Sequence, residues 1–140
     1  MRFSYNPVAA PPPPASMTYA IAQNWFVEGL NKNLTAVQLA CFPGATFGVK
    51  NWYAPRNGSV TALQVNMDHA GTSAPIIGIY KNGILLISTS VTTGLTHVEA
   101  VYAPALHTFL LGDALDVRVT TDGAWGPTHT DLLVNVEVTM

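Results

Sequence analysis

Residues 75–91 read PIIGIYKNGILLISTSV, and this stretch decides the fold of the chain. The pair Asn82-Gly83 lies between two apolar runs of the β-branched and aromatic residues that favour strands. A two-residue Asn-Gly loop in such a setting predicts a β-hairpin with a type I′ turn, because that turn needs positive φ at both central residues. The stretch therefore predicts two antiparallel strands, over residues 75–81 and 84–91.

The same period of two continues on both sides of the hairpin. Residues 58–68 alternate apolar with polar or small side chains, except that Val60 falls out of phase. An extra residue in one strand produces such a phase change, so a bulge is predicted near Thr61 or Ala62. Further strands are predicted over residues 46–52, 95–102, 106–111, 114–121 and 132–138.

Seven or eight strands at intervals of about 8–12 residues are typical of a sandwich or jelly roll. The sequence therefore predicts an all-β protein, with an antiparallel jelly-roll sandwich in residues 46–140. Residues 1–45 have a different sequence pattern, and they are predicted to form an extended N-terminal arm that precedes this domain.

The arm begins with a proline-rich segment. Pro11, Pro12, Pro13 and Pro14 are incompatible with a helix interior or a central strand and favour polyproline II. For residues 16–29 we predict a short helix, capped by Ser16 and ended by Gly29. The aromatic and branched residues of this segment serve a strand equally well, and that alternative stays open.

The apolar side chains of the arm need a surface, since burying each contributes about 1.5–3 kcal/mol. A solvated, disordered tail is therefore the weaker interpretation. The arm is predicted to bind a partner through these residues: Tyr5, Pro11, Pro12, Pro13, Pro14, Tyr19, Trp25 and Phe26.

Charged residues make up 10% of the chain, against about 25% in a typical domain. One interpretation is a surface of Thr, Ser and Asn; the preferred one is a surface covered by partner subunits, because interface cores are depleted in charge. The net charge is −2 and the six Lys and Arg are scattered, which argues against a nucleic-acid partner.

Compartment and redox state follow from simple features. The first residues lack the apolar core of a secretory signal, and no run approaches the roughly 18 apolar residues of a membrane span. A soluble protein made in a cytoplasm, with no membrane partner, is expected. Cys41 is the single cysteine and is expected to be a small buried hydrophobe.

Catalytic and metal-binding patterns are not found in the sequence. The four histidines have no ligand spacing with one another or with Cys41. The serines lack a nucleophile-elbow motif, and no carboxylate pair stands out for acid and base work. We expect no enzyme activity, no cofactor, no metal and no small-molecule substrate.

Trp125 lies in a loop of Gly, Pro and Asp residues. An exposed indole there would stack on a sugar, as in a lectin. The preferred interpretation is that Trp125 contacts a neighbouring protein surface, because aromatic anchors are enriched at interfaces.

Two stretches resemble known families. Residues 54–63, APRNGSVTAL, followed by the Lys81-Asn82-Gly83 hairpin, look like the opening of small jelly-roll modules in phage structural proteins. Residues 109–117, FLLGDALDV, and the apolar final strand are similar to the tumour-necrosis-factor and complement-globular-head jelly rolls. The resemblance covers roughly residues 46–139 and none of the arm.

The resemblance implies a homotrimer and a bacteriophage capsid decoration, or cement, protein. Such a protein would be made in the host cytoplasm and would bind the major capsid protein on the outer surface of the head. The alternative is a receptor- or carbohydrate-binding module of a phage tail or fibre.

Overall fold

The computed structural model describes residues 18–42 and 50–140. Within them there are eleven strands and no helix, hence no helix suited to crossing a membrane. The strands are β1 (Ala20–Val27), β2 (Val37–Gln38), β3 (Ala40–Phe42), β4 (Trp52–Tyr53), β5 (Gly58–Met67), β6 (Ile76–Lys81), β7 (Ile84–Ser90), β8 (His97–Val101), β9 (Thr108–Phe109), β10 (Ala114–Thr120) and β11 (Leu132–Thr139).

The strands form two antiparallel sheets. Sheet A has the order β3-β1-β11-β5-β8, with β9 also pairing β5; sheet B has the order β2-β10-β6-β7, with β4 also pairing β10. Eight strands remain when β2, β3 and β9 are set aside and the two-residue β4 is kept as a member of sheet B. Counted along the chain, these lie in the order first, eighth, third, sixth in sheet A and second, seventh, fourth, fifth in sheet B. This is the double Greek-key order of a jelly roll, and the predicted all-β sandwich is confirmed.

The core lies between the two sheets and follows the period of two. In β11 the side chains of Leu132, Val134, Val136 and Val138 are fully buried, while the intervening residues are partly or fully exposed. β10 contributes inward-facing residues in the same way. Each fully buried aliphatic side chain contributes about 1.5–3 kcal/mol, so this alternation is the main force that joins the sheets.

Two local predictions are confirmed. The β6–β7 hairpin turns at Asn82 and Gly83, whose φ angles are 51° and 81°, as a type I′ turn requires. On β5 the pairing with β11 jumps from Ala62 to Val60, which leaves Thr61 as the extra residue of a bulge.

The predicted helix in residues 16–29 is wrong. The chain instead forms β1, which pairs with β11 over eight residues, from Ala20 opposite Thr139 to Val27 opposite Leu132. Ile21 and Val27 pack against the core and Trp25 is buried within it. These residues have odd numbers, so a strand places all three on one face, whereas a helix would keep Ile21 and Trp25 together and turn Val27 away.

The boundary predicted at residue 45 is also corrected, because residues 20–42 belong to the sandwich. β2 joins sheet B and β3 joins sheet A, and the N–H of Leu39 donates to the carbonyl of Val117 at 2.9 Å. Cys41 is buried, and burial raises the pKa of its thiol. Trp25, Leu30 and Leu39 of the predicted arm are therefore buried in the sandwich itself. Residues 1–17 and 43–49 lie outside the described residues, and they include residues 46–49 of the strand predicted at 46–52.

Candidate functional site

The residues predicted to bind a partner do not share one surface, as far as they belong to the described residues. Trp25 and Trp125 are core residues, 1% and 0% exposed, which corrects their assignment as partner-binding residues. Phe26 is half-buried on β1, and Tyr19 is exposed just before β1 begins. Tyr5 and the prolines at positions 11–14 lie outside the described residues.

Trp125 closes one end of the sandwich from inside. Its indole Nε1 donates a 2.7 Å hydrogen bond to the carbonyl of Leu30, which is also fully buried. A Cβ added at Gly71 would collide with the Trp125 ring, so glycine is required where the backbone crosses it. The loop is tied further by Thr72, whose hydroxyl donates to the carbonyl of Ala124 at 2.6 Å. An indole buried in this way is not available to stack on a sugar or to anchor a neighbouring protein.

The opposite end of the sandwich carries large apolar side chains on its outside. Each is 62–73% exposed, although a side chain of this size is usually buried. We call this surface the apolar end and define it by Tyr53, Ile84, Leu106, Leu110 and Leu111. All five lie on short connections or at strand ends, beside the first residues of β5 and the last residues of β6.

Polar residues hold the turns of the apolar end. The carboxylate of Asp113 accepts hydrogen bonds from the backbone N–H of Leu110 and from the side-chain amide of Asn82, both at 2.8 Å. The side-chain carbonyl of Asn57 accepts the N–H of Leu111 at 2.8 Å. The bond from Leu110, followed by that from Asn82, lowers the pKa of Asp113 below its ordinary value, since both favour the ionised form.

Backbone groups and polar side chains hold these turns, and the leucine side chains do not. Gly112 has a φ of 87°, and its N–H donates to the carbonyl of Ala54 at 2.8 Å, so the reversal of the chain depends on Gly112 and Asp113. The side chains of Leu110 and Leu111 take no part in these hydrogen bonds and are 62% and 68% exposed. Exposed apolar residues that gather on one surface mark a site of interaction.

Sequence reasoning missed the apolar end, although one signal of it is in the sequence. Adjacent residues of a strand point to opposite faces, so two consecutive leucines before a Gly-Asp turn place at least one of them outside. The prediction of one strand over residues 106–111 hid this signal. In the structure only Thr108–Phe109 form a strand, β9, and Leu110 and Leu111 lie outside it.

A second surface is a hollow of about 270 Å³ on the outer face of sheet A. Its floor includes the small side chains of Ala22 and Ala62, and its wall includes Val101 of β8. Since β8 is the edge of the sheet, the hollow opens toward solvent on that side.

A row of hydrogen-bonded polar side chains borders the hollow. Asn135 Nδ2 donates to Gln64 Oε1, and Gln64 Nε2 donates to Glu99 Oε1, both at 3.0 Å. His97 Nε2 lies 2.9 Å from the same Glu99 oxygen, and His97 Nδ1 lies 2.9 Å from Asn66 Oδ1. The bond from Gln64, and then that from His97, lowers the pKa of Glu99. The row presents fixed donors and acceptors beside an apolar floor.

Reactive groups are few in the part of the chain that the structure describes. No three His, Cys, Asp or Glu side chains in residues 18–42 and 50–140 are placed to hold a metal ion. The buried carboxylate Asp116 lies 2.7 Å from Arg118 Nε and accepts a 2.9 Å hydrogen bond from Gln38. Asp116 and Arg118 thus form a structural ion pair.

Comparison with known proteins does not identify a family for this chain. No protein-family model and no curated protein matches the chain. Among solved structures, the empty head of turnip yellow mosaic virus matches at 14% identity, over 99% of this chain and 89% of that one, with a TM-score of 0.32. A TM-score this low does not establish a common fold, so the function of this chain is inferred from its own residues.

Proposed function

We propose that this chain is a virion structural protein, a decoration protein that binds the major capsid protein through its apolar end. The observation that carries the proposal is the apolar end itself, where five large apolar side chains at one end of the sandwich are 62–73% exposed. The low content of charged residues supports the same conclusion, because interface cores are depleted in charge.

The energetics favour a multivalent protein. Full burial of one such side chain contributes about 1.5–3 kcal/mol, so covering the exposed parts of five yields roughly 5–10 kcal/mol. Association itself costs about 4–15 kcal/mol, and a single apolar end therefore binds weakly. Three ends joined in one particle bind far more strongly through effective concentration, which is the physical support for a homotrimer.

The proposed function also implies a place of synthesis, a site of assembly and a kind of partner. The protein would be made in the cytoplasm of a bacterial host and would join the outer surface of a phage head. Its six Lys and Arg are scattered along the sequence, which supports a protein partner over a nucleic acid. It is proposed as a binding protein without enzyme activity.

The test is co-sedimentation with shells assembled from the major capsid protein alone. The double variant Leu110→Ser/Leu111→Ser removes the centre of the apolar end, and Leu95→Ser is the matched control, an exposed leucine outside it. We expect wild type and Leu95→Ser to sediment with the shells and the double variant to lose at least about tenfold in affinity. Binding of the double variant at the wild-type level would remove the basis of the proposal.

A deletion tests the contribution of the N-terminal segment. Removal of residues 1–30, which an arm of 45 residues would allow, takes away β1 and its pairing with β11. The informative deletion is therefore residues 1–17, which leaves every described strand in place. We expect this variant to fold and to bind shells more weakly than the full chain, whereas undiminished binding would exclude the segment from the capsid contact.

The hollow on sheet A favours a second candidate function, the binding of a carbohydrate. Sugars combine hydroxyl groups with apolar ring faces, and the hollow pairs the amides of Gln64 and Asn135 and the carboxylate of Glu99 with an apolar floor. An array of neutral oligosaccharides tests it, with Glu99→Ala as the site variant and Glu28→Ala as the exposed control. A glycan retained by wild type and Glu28→Ala but not by Glu99→Ala would establish this function in preference to the first.

A further inference from the structure

Two histidines lie side by side at the Trp125 end of the sandwich. The rings of His69 and His129 meet edge to face, with their centroids 4.5 Å apart and an angle of 80° between the two planes. Both residues are exposed, so an ion in solution can reach the pair. They are far apart in the sequence, which is why spacing along the chain does not reveal them.

Hydrogen bonds between the two loops hold the backbone of this pair. Asp68 Oδ1 accepts the N–H of Asp131 at 2.7 Å, and the N–H of Asp68 donates to the carbonyl of Asp131 at 3.3 Å. Thr130, which follows His129, is fully buried, and its hydroxyl donates to the carbonyl of Pro127 at 2.7 Å. The loops are therefore ordered before a ligand binds, which lowers the entropic cost of binding.

The carboxylate of Asp68 sets the position of the proton on His69. One of its oxygens lies 3.0 Å from His69 Nδ1. An ionised carboxylate only accepts hydrogen bonds, so Nδ1 of the neutral imidazole carries the proton and Nε2 keeps a free lone pair. Histidines that bind a metal almost always donate their other ring N–H to a carboxylate, a carbonyl or water. His69 and Asp68 thus have the arrangement of a metal ligand and its supporting group.

The other two histidines lack this arrangement. Both ring nitrogens of His97 are engaged, since Asn66 Oδ1 and Glu99 Oε1 each lie 2.9 Å from one of them. His107 packs against the ring of Tyr102, with the two centroids 4.9 Å apart. Two imidazoles are therefore in contact only at the Trp125 end of the described chain.

We propose that His69 and His129 of one chain bind a zinc ion. Zinc accepts imidazole nitrogens at about 2.0–2.1 Å, and in tetrahedral geometry two such nitrogens lie about 3.4 Å apart. Rings that are already in edge contact reach this spacing when the two exposed side chains rotate. No third His, Cys, Asp or Glu of the described residues is placed to join them, so water takes the remaining positions and the ion exchanges with solution.

A bound ion would link the loop that follows β5 to the loop that precedes β11. This site lies at the end of the sandwich opposite the apolar end, and it uses none of the residues that define that end. The proposal is therefore independent of the proposed function, and either one can fail without the other.

Isothermal titration calorimetry of the full chain with zinc chloride tests the site. His69→Ala and His129→Ala are the site variants, and His97→Ala is the matched control, an exposed histidine whose two nitrogens are engaged. We expect wild type and His97→Ala to bind one zinc ion per chain and each site variant to bind at least about tenfold more weakly. Asp68→Asn should also weaken binding about tenfold, because the amide does not orient His69 by charge.

Wild-type affinity in both site variants would overturn the proposal, and so would a wild-type chain without saturable binding. Half an ion per chain would also overturn it, because the ion would then lie between two copies. Thermal melting gives a second measurement, since an ion that binds only the folded chain raises its melting temperature. An equal rise in the double variant His69→Ala/His129→Ala would contradict the proposed site.

Discussion

The two ends of the sandwich use the same kinds of residue in opposite ways. At the Trp125 end the large apolar side chains, Trp125 and Leu30, are fully buried beneath the loops. At the apolar end the polar residues Asn82 and Asp113 bond to one another, and the leucines stand outside them. The difference teaches that one end completes the core with its loop residues, while the other holds its turns with polar residues and leaves several large apolar side chains exposed.

The largest loss in the free energy of unfolding is expected at the Trp125 end. Trp125→Ala should lower the free energy of unfolding by about 3–5 kcal/mol, because it leaves a cavity and deprives the buried Leu30 carbonyl of its donor. At the apolar end, the side chain of Tyr53 is 64% exposed. Tyr53→Ala should therefore change the free energy of unfolding by about 0.5 kcal/mol or less. Urea denaturation measures both, and equal losses would erase the distinction between the ends.

A smaller loss is expected from the polar turns of the apolar end. Asn82→Ala removes the bond to Asp113 and the one accepted from Ala114 N–H, and it places alanine at a φ of 51°. We expect a loss of about 1–2 kcal/mol in the free energy of unfolding. Asn82→Gly loses the same bonds without the strain and should cost less. A larger loss for Asn82→Gly than for Asn82→Ala would show that the turn does not depend on positive φ.

A pH dependence should accompany this network. The pKa of Asp113 is lowered in the folded state, so its contribution to stability is present above the unfolded pKa of about 3.9 and is lost as pH falls through the lower folded value. The melting temperature of Asp113→Ala should therefore lie below that of wild type at neutral pH, and the gap should narrow below about pH 4. A gap that is constant down to about pH 2 would assign the effect of the substitution to something other than the ionised carboxylate.

The smallest effect should come from Ile84, which is 73% exposed. Ile84→Ser should leave the free energy of unfolding within about 0.5 kcal/mol of wild type, because the side chain buries little surface in the sandwich. Ile87→Ser on the same strand faces the core and should cost several times more. A comparable cost at the two positions would mean that the apolar end contributes to the fold.

Most of the fold could be predicted from periodicity. The alternation in residues 132–138, the Asn82-Gly83 turn and the bulge at Thr61 are local properties, and each is confirmed. β1 could not be assigned in this way, because its apolar residues fit both a helix and a strand. The pairing of Ala20–Val27 with a strand more than a hundred residues later decides between them, and no local signal contains it.

The candidate site was less predictable, for a related physical reason. Aromatic side chains are enriched both in cores and at interfaces, so Trp25 and Trp125 resemble binding residues in sequence although they are buried. Leu110 and Leu111 resemble strand residues although they are exposed. Only the tertiary structure shows which apolar side chains remain after the core is filled.

An electron cryo-microscopy reconstruction of a capsid shell decorated with this protein tests the central claim most directly. We predict that the apolar end, with Leu110 and Leu111, meets the shell and that the loop of Trp125 faces away from it. A reconstruction with the apolar end in solvent and the Trp125 end against the shell would contradict this claim.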